Sequence, residues 1–401
     1  MKVLLNDDAF DGQLLRAVGH MYEGGADYGE CWSTANRIKA HDVESWYHEW
    51  STLAARIESI ATSSLAKNHR VSAYEVFLRA SMYYRAAGQF LIGYPDDKRT
   101  LSAFEKTAGC FLEAMKLSTG VKCESIQIPY KGVYLPGYFL TPLQGVRKGQ
   151  TLIVNGGYDS VKEECYFFSG ASALRRGFQV LLFDGPGQGI PLLADKITTI
   201  PDWETVITPV VDYLHSRPDV DPSKIAAMGI SLGGYQVPRA ATKEKRLTAI
   251  ICDPAQVNIG VRARARLPLP ASWKSSFPKD TPALAVYLVS TILGRMAADP
   301  SGGWTLRRVK HVHGLDKLTD MFAELDHFKL DPAQVTCPVF VSWAEKDDLA
   351  VEAREFYERC GATVKKFVQY REEDGSHEHC EAANRASFNQ DAFDWLEELW
   401  S

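Results

Sequence analysis

The chain lacks the marks of several large protein classes. Its cysteines, at 31, 110, 123, 165, 252, 337, 360 and 380, include no CxxC pair and none of the close spacing of a secreted disulfide framework. No apolar run approaches the roughly 20 residues that span a bilayer. The N-terminal "MKVLLNDDAFDGQ" has too short an apolar stretch for a signal-peptide core. No block of like charge stands out either, since 45 Lys+Arg face 50 Asp+Glu for a formal charge of -5. That balance argues against a nucleic-acid or membrane tail. There is no P-loop, and "DGPGQG" (Asp184 to Gly189) departs from GxGxxG spacing and runs at once into Pro191, so it reads as a structural turn. The expectation is a cytoplasmic protein with a small-molecule partner, without nucleic-acid or membrane partners.

What is present falls into two textures. At 401 residues the chain exceeds a usual single domain. Up to about residue 118 the pattern is helical and rich in aromatics. Trp46, Trp50, Leu53, Ile57 and Ile60 recur at steps of three and four, which aligns them on one helix face. Ser72 to Glu75 and Ser102 to Glu105 have the spacing of capping boxes and predict two helix starts. Tyr74, Tyr83, Tyr84, Trp46, Trp50 and, much later, Trp273 are either packing residues or lining for a flat substrate.

From about Cys123 short strands alternate with helices. "SIQIPY" and "GVYLPGYFLTP" alternate in period two and predict an antiparallel hairpin. "TLIVNGG", "FQVLLFDGPGQG", "KIAAMGIS", "LTAIICDPA" and "CPVFVSWAEKDD" are apolar runs, each ending in a polar or glycine-containing turn. Such runs suit a mostly parallel sheet with helices on both faces, whose reactive groups gather at the C-terminal strand ends.

One of those turns carries chemistry. Gly229-Ile230-Ser231-Leu232-Gly233 fits G-x-S-x-G between a predicted strand and a predicted helix, the context that the motif demands. A serine on such a tight turn projects its hydroxyl from the sheet, and the flanking glycines let neighbouring backbone approach. The hydroxyl needs a base, and the base an orienting acid, in the chain order serine, acid, histidine. Asp347 sits a few residues past a strand end and is preferred to Glu345 and Asp348. His377 and His379 follow the next strand, and spacing leaves the choice between them open. His311 and His313 precede the acid, break the order, and read as surface or lid residues. Oxyanion donors are expected at the N–H of Leu232 and at Gly157 or Tyr158 in "IVNGGYDS". His377, His379 and Cys380 share one short stretch that no second cluster completes, so no metal site is expected; no cofactor is implied.

Between serine and acid lies a proline- and aromatic-rich insertion, about 256–330, expected to form a helical lid. Arg262, Arg264 and Arg266 within it suit either a solvated charged edge or contact with an anionic substrate. The expected organisation is a helical N-terminal cap over 1–120 and a catalytic domain over 121–401 that contains the lid.

These residues amount to an α/β-hydrolase fold. "GGADYGE", "SWYHEWSTLA", "SAYEVFLRASMYYRAA", "GISLGGY" and "HCEAANRASFNQDAFDWL" together resemble the group containing 2,6-dihydroxypseudooxynicotine hydrolase and the fungal hydrolases that shorten polyketide pigment precursors. In that group the catalytic histidine directly precedes the Cys of a His-Cys pair, which maps onto His379. The resemblance implies cofactor-free hydrolysis of a carbon–carbon bond beside a ketone, of 1,3-dicarbonyl or acyl-phenol type. It further implies an N-terminus that shapes the substrate cavity, and a homodimer. An esterase or lactonase with the same three residues is the alternative, because nothing in them distinguishes carbon from oxygen leaving groups. A non-hydrolytic binding or cyclase-like protein is the more distant one.

Overall fold

The computed structural model describes residues 2–147 and 149–401. Five helices precede the first strand: α1 (Asp8–Gly19), α2 (Tyr28–Ala35), α3 (Val43–Ala66), α4 (Arg70–Gly88) and α5 (Lys98–Leu117). Four start on an aspartate whose carboxylate accepts free N–H groups of the first turn: Asp7, Asp27, Asp42 and Asp97. The predicted capping boxes are not where helices begin. α4 starts at Arg70 and α5 at Lys98, which leaves Ser72 and Ser102 inside helices. Asp97 supplies the stronger cap to α5, and α4 follows α3 through a turn too short to leave a separate cap.

On α3, Trp46, Trp50, Leu53 and Ile57 are buried, but Ile60 is 43% exposed and Ala61 takes the buried position. A spacing of 3.6 residues drifts past Ile60 by the fourth turn. Trp46 packs against Phe10 at 4.9 Å and Phe90 at 5.0 Å, and Phe90 in turn meets Trp304 at 5.2 Å. The Trp46 and Trp50 rings are therefore core.

The sheet has eight strands: β1 (Val121–Tyr130), β2 (Val133–Pro142), β3 (Thr151–Asn155), β4 (Gln179–Phe183), β5 (Ile225–Ile230), β6 (Ala249–Asp253), β7 (Val339–Ala344) and β8 (Lys365–Tyr370). Their order is β1-β2-β4-β3-β5-β6-β7-β8. β1 and β2 form the antiparallel hairpin, β2 joins β4 antiparallel, and all later pairings are parallel. Every residue of β3, β4, β5 and β6 is buried, which is why these segments read as unbroken apolar runs. β3 carries β4 on one side and β5 on the other, so connections leave in opposite directions and open a crevice at the C-terminal ends.

Between β6 and β7 the chain forms a helical excursion that includes Ile259–Ala265, Ala283–Ala298, Trp304–Val312 and Met321–Leu325. It has an apolar cluster of its own around Phe277, Val289, Leu293 and Phe322. Helix Trp304–Val312 is fastened to the N-terminal helices: Trp304 Nε1 donates to the Gln89 carbonyl at 3.0 Å, and His311 Nδ1 lies 2.6 Å from the Ile92 carbonyl. His313 is buried, not at the surface. The three arginines part company. Arg264 is buried against Asp326 and donates to the Phe277 and Phe322 carbonyls, Arg266 is exposed near Asp348, and only Arg262 reaches the crevice.

Candidate active site

Ser231 sits directly after β5 with φ 58°, a left-handed conformation that a non-glycine residue adopts at a cost of about 1–3 kcal/mol. The turn is held because the Ser231 N–H donates to the Asp253 carbonyl at 2.6 Å and the Gly234 N–H returns to the Ser231 carbonyl at 2.8 Å. Its glycines are required by close approach. A Cβ on Gly229 would lie 2.0 Å from the Gly233 carbonyl oxygen, and one on Gly233 would lie 2.6 Å from that of Asn155.

The turns after β7 and β8 complete a bonded chain. His379 Nε2 stands 2.9 Å from Ser231 Oγ, and His379 Nδ1 stands 2.8 Å from Asp347 Oδ2. The other Asp347 oxygen accepts the Leu349 N–H at 2.8 Å. Both ring nitrogens of His379 are thus engaged. Burial works against the charged imidazolium, but the Asp347 carboxylate and its hydrogen bond outweigh burial and raise the pKa above the usual histidine value. Burial pushes the Asp347 carboxyl up; the His379 charge and the bonds from His379 and Leu349 outweigh it and leave the pKa lowered. His377 is buried with Nε2 3.1 Å from Glu378, and its carbonyl accepts the Lys346 N–H at 3.0 Å, which ties the acid loop to the histidine loop. The structure brings His379, not His377, to the serine.

The loop after β3 meets the serine from the other side. A Cβ on Gly157 would fall 3.1 Å from Ser231 Oγ. Gln188 Nε2 donates to the carbonyls of Gly156 at 2.9 Å and Gly157 at 2.8 Å. In trans peptides the N–H groups of Gly157 and Tyr158 then point away from Gln188. Asn155 braces the same loop, accepting from Trp203 Nε1 at 2.8 Å and donating to Gln236 at 2.7 Å. Leu232, which follows the serine, begins the turn into helix Gly233–Ala241. Such an arrangement can hold an oxygen that becomes negative.

Several positions were not marked by the sequence. Gln188 lies in the turn read as structural, and its amide sets the loop opposite Ser231. Beneath His379, Arg385 of helix Arg385–Leu399 pairs with Asp253 and donates to the Cys380 carbonyl at 2.9 Å. Burial and then the Asp253 charge push the Glu381 carboxyl well above its usual range, against the pull of Arg385 3.4 Å away. This group anchors a backbone that is left-handed at both Cys380 (φ 55°) and Glu381 (φ 47°). No local pattern announces it, since its members come from β6 and the last helix. The crevice is a cavity of about 420 Å³ that contains Ser231 and His379. Its N-terminal lining comes from Gln13 and Arg16 of α1, not from the aromatics of α3 and α4, and Trp304 and Arg308 cover it.

A mostly parallel eight-stranded sheet, with serine after β5, aspartate after β7 and histidine after β8, defines an α/β-hydrolase. The chain belongs to the alpha/beta hydrolase family, whose model matches residues 152–387. An overlapping model described as esterase FrsA-like matches residues 37–262, so the helical N-terminus and the sheet recur together. The chain is 34% identical over 352 residues to the alpha/beta hydrolase xenA of Xenoacremonium sinensis, covering 83% of this chain and 81% of that one. It is 32% identical over 357 residues to the 20-hydroxy-prefusarin hydrolase FUS2 of Gibberella moniliformis, covering 86% and 84%. Its fold matches the crystal structure of 2,6-dihydroxy-pseudo-oxynicotine hydrolase with a TM-score of 0.74 at 23% identity, over 94% of each chain. The protein is therefore an enzyme of the hydrolase class.

Proposed function

We propose that the protein hydrolyses a carbon–carbon bond next to a ketone through an acyl-enzyme. The observation that carries a serine mechanism is the unbroken chain Ser231 Oγ to His379 Nε2 at 2.9 Å and His379 Nδ1 to Asp347 at 2.8 Å. In this reading His379 takes the Ser231 proton as Oγ adds to the ketone carbon, and Asp347 steadies the imidazolium. The Leu232 N–H and that of Gly157 or Tyr158 receive the oxyanion. Collapse expels a carbanion, which His379 protonates; water then releases the acyl group. Support for a carbon leaving group comes from the resemblance of the N-terminal and His-Cys segments described above, and the 20-hydroxy-prefusarin hydrolase among the relatives supports hydrolysis as such.

A second reading, ester hydrolysis by the same residues, is favoured by the match to the esterase FrsA-like model. Mass spectrometry of products from a panel of β-diketones and aryl esters separates the two. Diketone cleavage lost in Ser231→Ala supports the first reading, and ester turnover with no diketone cleavage supports the second. The same account takes the protein as a homodimer, which light scattering of the purified chain tests.

A further inference from the structure

Four buried polar atoms without a hydrogen-bond partner among the described residues belong to Tyr158 and to Arg308 and His313, which lie against its ring. They include the Tyr158 hydroxyl and Nε of Arg308. The Arg308 guanidinium stacks over the Tyr158 ring at 4.7 Å and over Trp304 at 4.3 Å, and uses Nη1 to reach Asp159 at 2.7 Å. His313 lies on the same phenol at 5.6 Å, neither of its ring nitrogens has a close hydrogen-bond partner among the described residues, and the Glu324 carboxylate is 3.7 Å from Nδ1. Proteins leave few buried donors unsatisfied, and those that persist call for an explanation. Tyr158 and Arg308 both line the cavity that holds Ser231.

Charge points the same way. Asp159 and Glu164 are the carboxylates of a buried cluster whose cations are Arg16, Arg85 and Arg308. Burial lowers the pKa of His20, the remaining member, which leaves it neutral. Within this cluster three guanidinium groups face two carboxylates, an excess of one positive charge, and the further carboxylate near the phenol is that of Glu324 beside His313. A positive charge fixed in a low-dielectric site stabilises an anion that forms beside it, with little reorganisation.

We propose that Arg308 and the Tyr158 hydroxyl form the leaving-group subsite, holding the second carbonyl oxygen of a β-diketone substrate as that oxygen becomes an enolate. This rests on the carbon–carbon reading. When the tetrahedral adduct on Ser231 collapses, the acyl carbon keeps its bond to Oγ and loses its bond to the α-carbon. That electron pair passes to the α-carbon and onto the second carbonyl oxygen, where Arg308 and Tyr158 meet it. The proton on His379 then goes to the α-carbon, releasing a neutral ketone and leaving the acyl group on Ser231. An aryl ester expels a stable phenolate and has no second carbonyl to hold.

The test compares kcat/KM for benzoylacetone and for para-nitrophenyl butyrate in wild type, Tyr158→Phe and Arg308→Lys. Tyr158→Phe removes a hydroxyl that has no partner among the described residues, and Arg308→Lys keeps a cation for Asp159, so both variants should melt near wild type. The expected result is a fall of roughly 100-fold in the diketone-to-ester ratio for Tyr158→Phe, the size of losing one oxyanion donor, and a fall of the same sign for Arg308→Lys. An unchanged ratio, whether both rates drop together or neither drops, overturns the subsite. A wild-type enzyme that cleaves the ester and no diketone overturns the carbon–carbon reading and the subsite with it. Diketone cleavage by wild type with an unaltered ratio in the variants removes the subsite alone.

Discussion

Asp347→Asn changes one atom in the bonded chain and tests whether that chain is catalytic. In the native enzyme the carboxylate accepts a hydrogen from His379 Nδ1 at 2.8 Å, which leaves Nε2 free to accept from Ser231 at 2.9 Å. An asparagine in the same place can turn its amide nitrogen to Nδ1 and donate. The imidazole then carries its hydrogen on Nε2 and cannot take the serine proton. In a serine protease the corresponding change costs about 10⁴-fold in kcat, or about 5 kcal/mol of barrier. We expect a loss of that order here, with KM little altered because Asp347 is not among the residues lining the cavity. Asparagine keeps an oxygen for the Leu349 N–H, so the melting temperature should stay close to wild type. Steady-state kinetics on whichever ester or diketone wild type turns over, with thermal melting in parallel, gives both numbers. A drop smaller than tenfold in a well-folded variant would refute the role assigned to this carboxylate.

Other consequences are as direct. Because only neutral His379 can accept the serine proton and its pKa is raised, log kcat/KM should climb with pH through a midpoint above 6.5, and fall away on the acid side. A pH-rate profile with its acid limb below that value contradicts the Asp347 coupling. Gln188→Ala removes both bonds that fix the Gly156 and Gly157 carbonyls, and should lower kcat by about 10- to 100-fold, with circular dichroism unchanged. Gly233→Ala drives a methyl to 2.6 Å from the Asn155 backbone oxygen, and is expected to yield inactive, poorly soluble protein in expression trials. Trp46→Ala empties a site closed by Phe10 and Phe90, and should cost about 3–5 kcal/mol by denaturant titration.

What could be read from the residues, and what could not, follows the range of the interactions. Ser231 is announced by its own neighbours, since Gly229 answers to the Gly233 carbonyl within the same turn, although Gly233 itself answers to Asn155 at the end of β3. The strands are legible for the same reason: burial on both faces leaves a continuous apolar run. Asp347 needed only the chain order and a strand end. The choice of His379 over His377 had no local signature and rested on resemblance. In the fold it is settled by the left-handed residues Cys380 and Glu381, whose anchors Asp253 and Arg385 lie in other elements. Helix starts failed where a serine three residues before a glutamate met a better cap nearby, as at Asp97. Arg16 and Gln13 gave no hint of facing the cavity, because their exposure depends on how α1 docks beneath the histidine loop, where a Cβ on Gly19 would lie 2.2 Å from the Ala382 carbonyl oxygen.

The claim that everything else needs is that Ser231 carries the substrate's acyl group. Intact-mass and peptide mass spectrometry of enzyme quenched during turnover of an activated ester tests it. The account predicts an acyl adduct on the peptide containing Ser231, absent from Ser231→Ala and long-lived in His379→Ala if it forms at all. Sustained turnover with no adduct on that peptide, or turnover retained in Ser231→Ala, would contradict it.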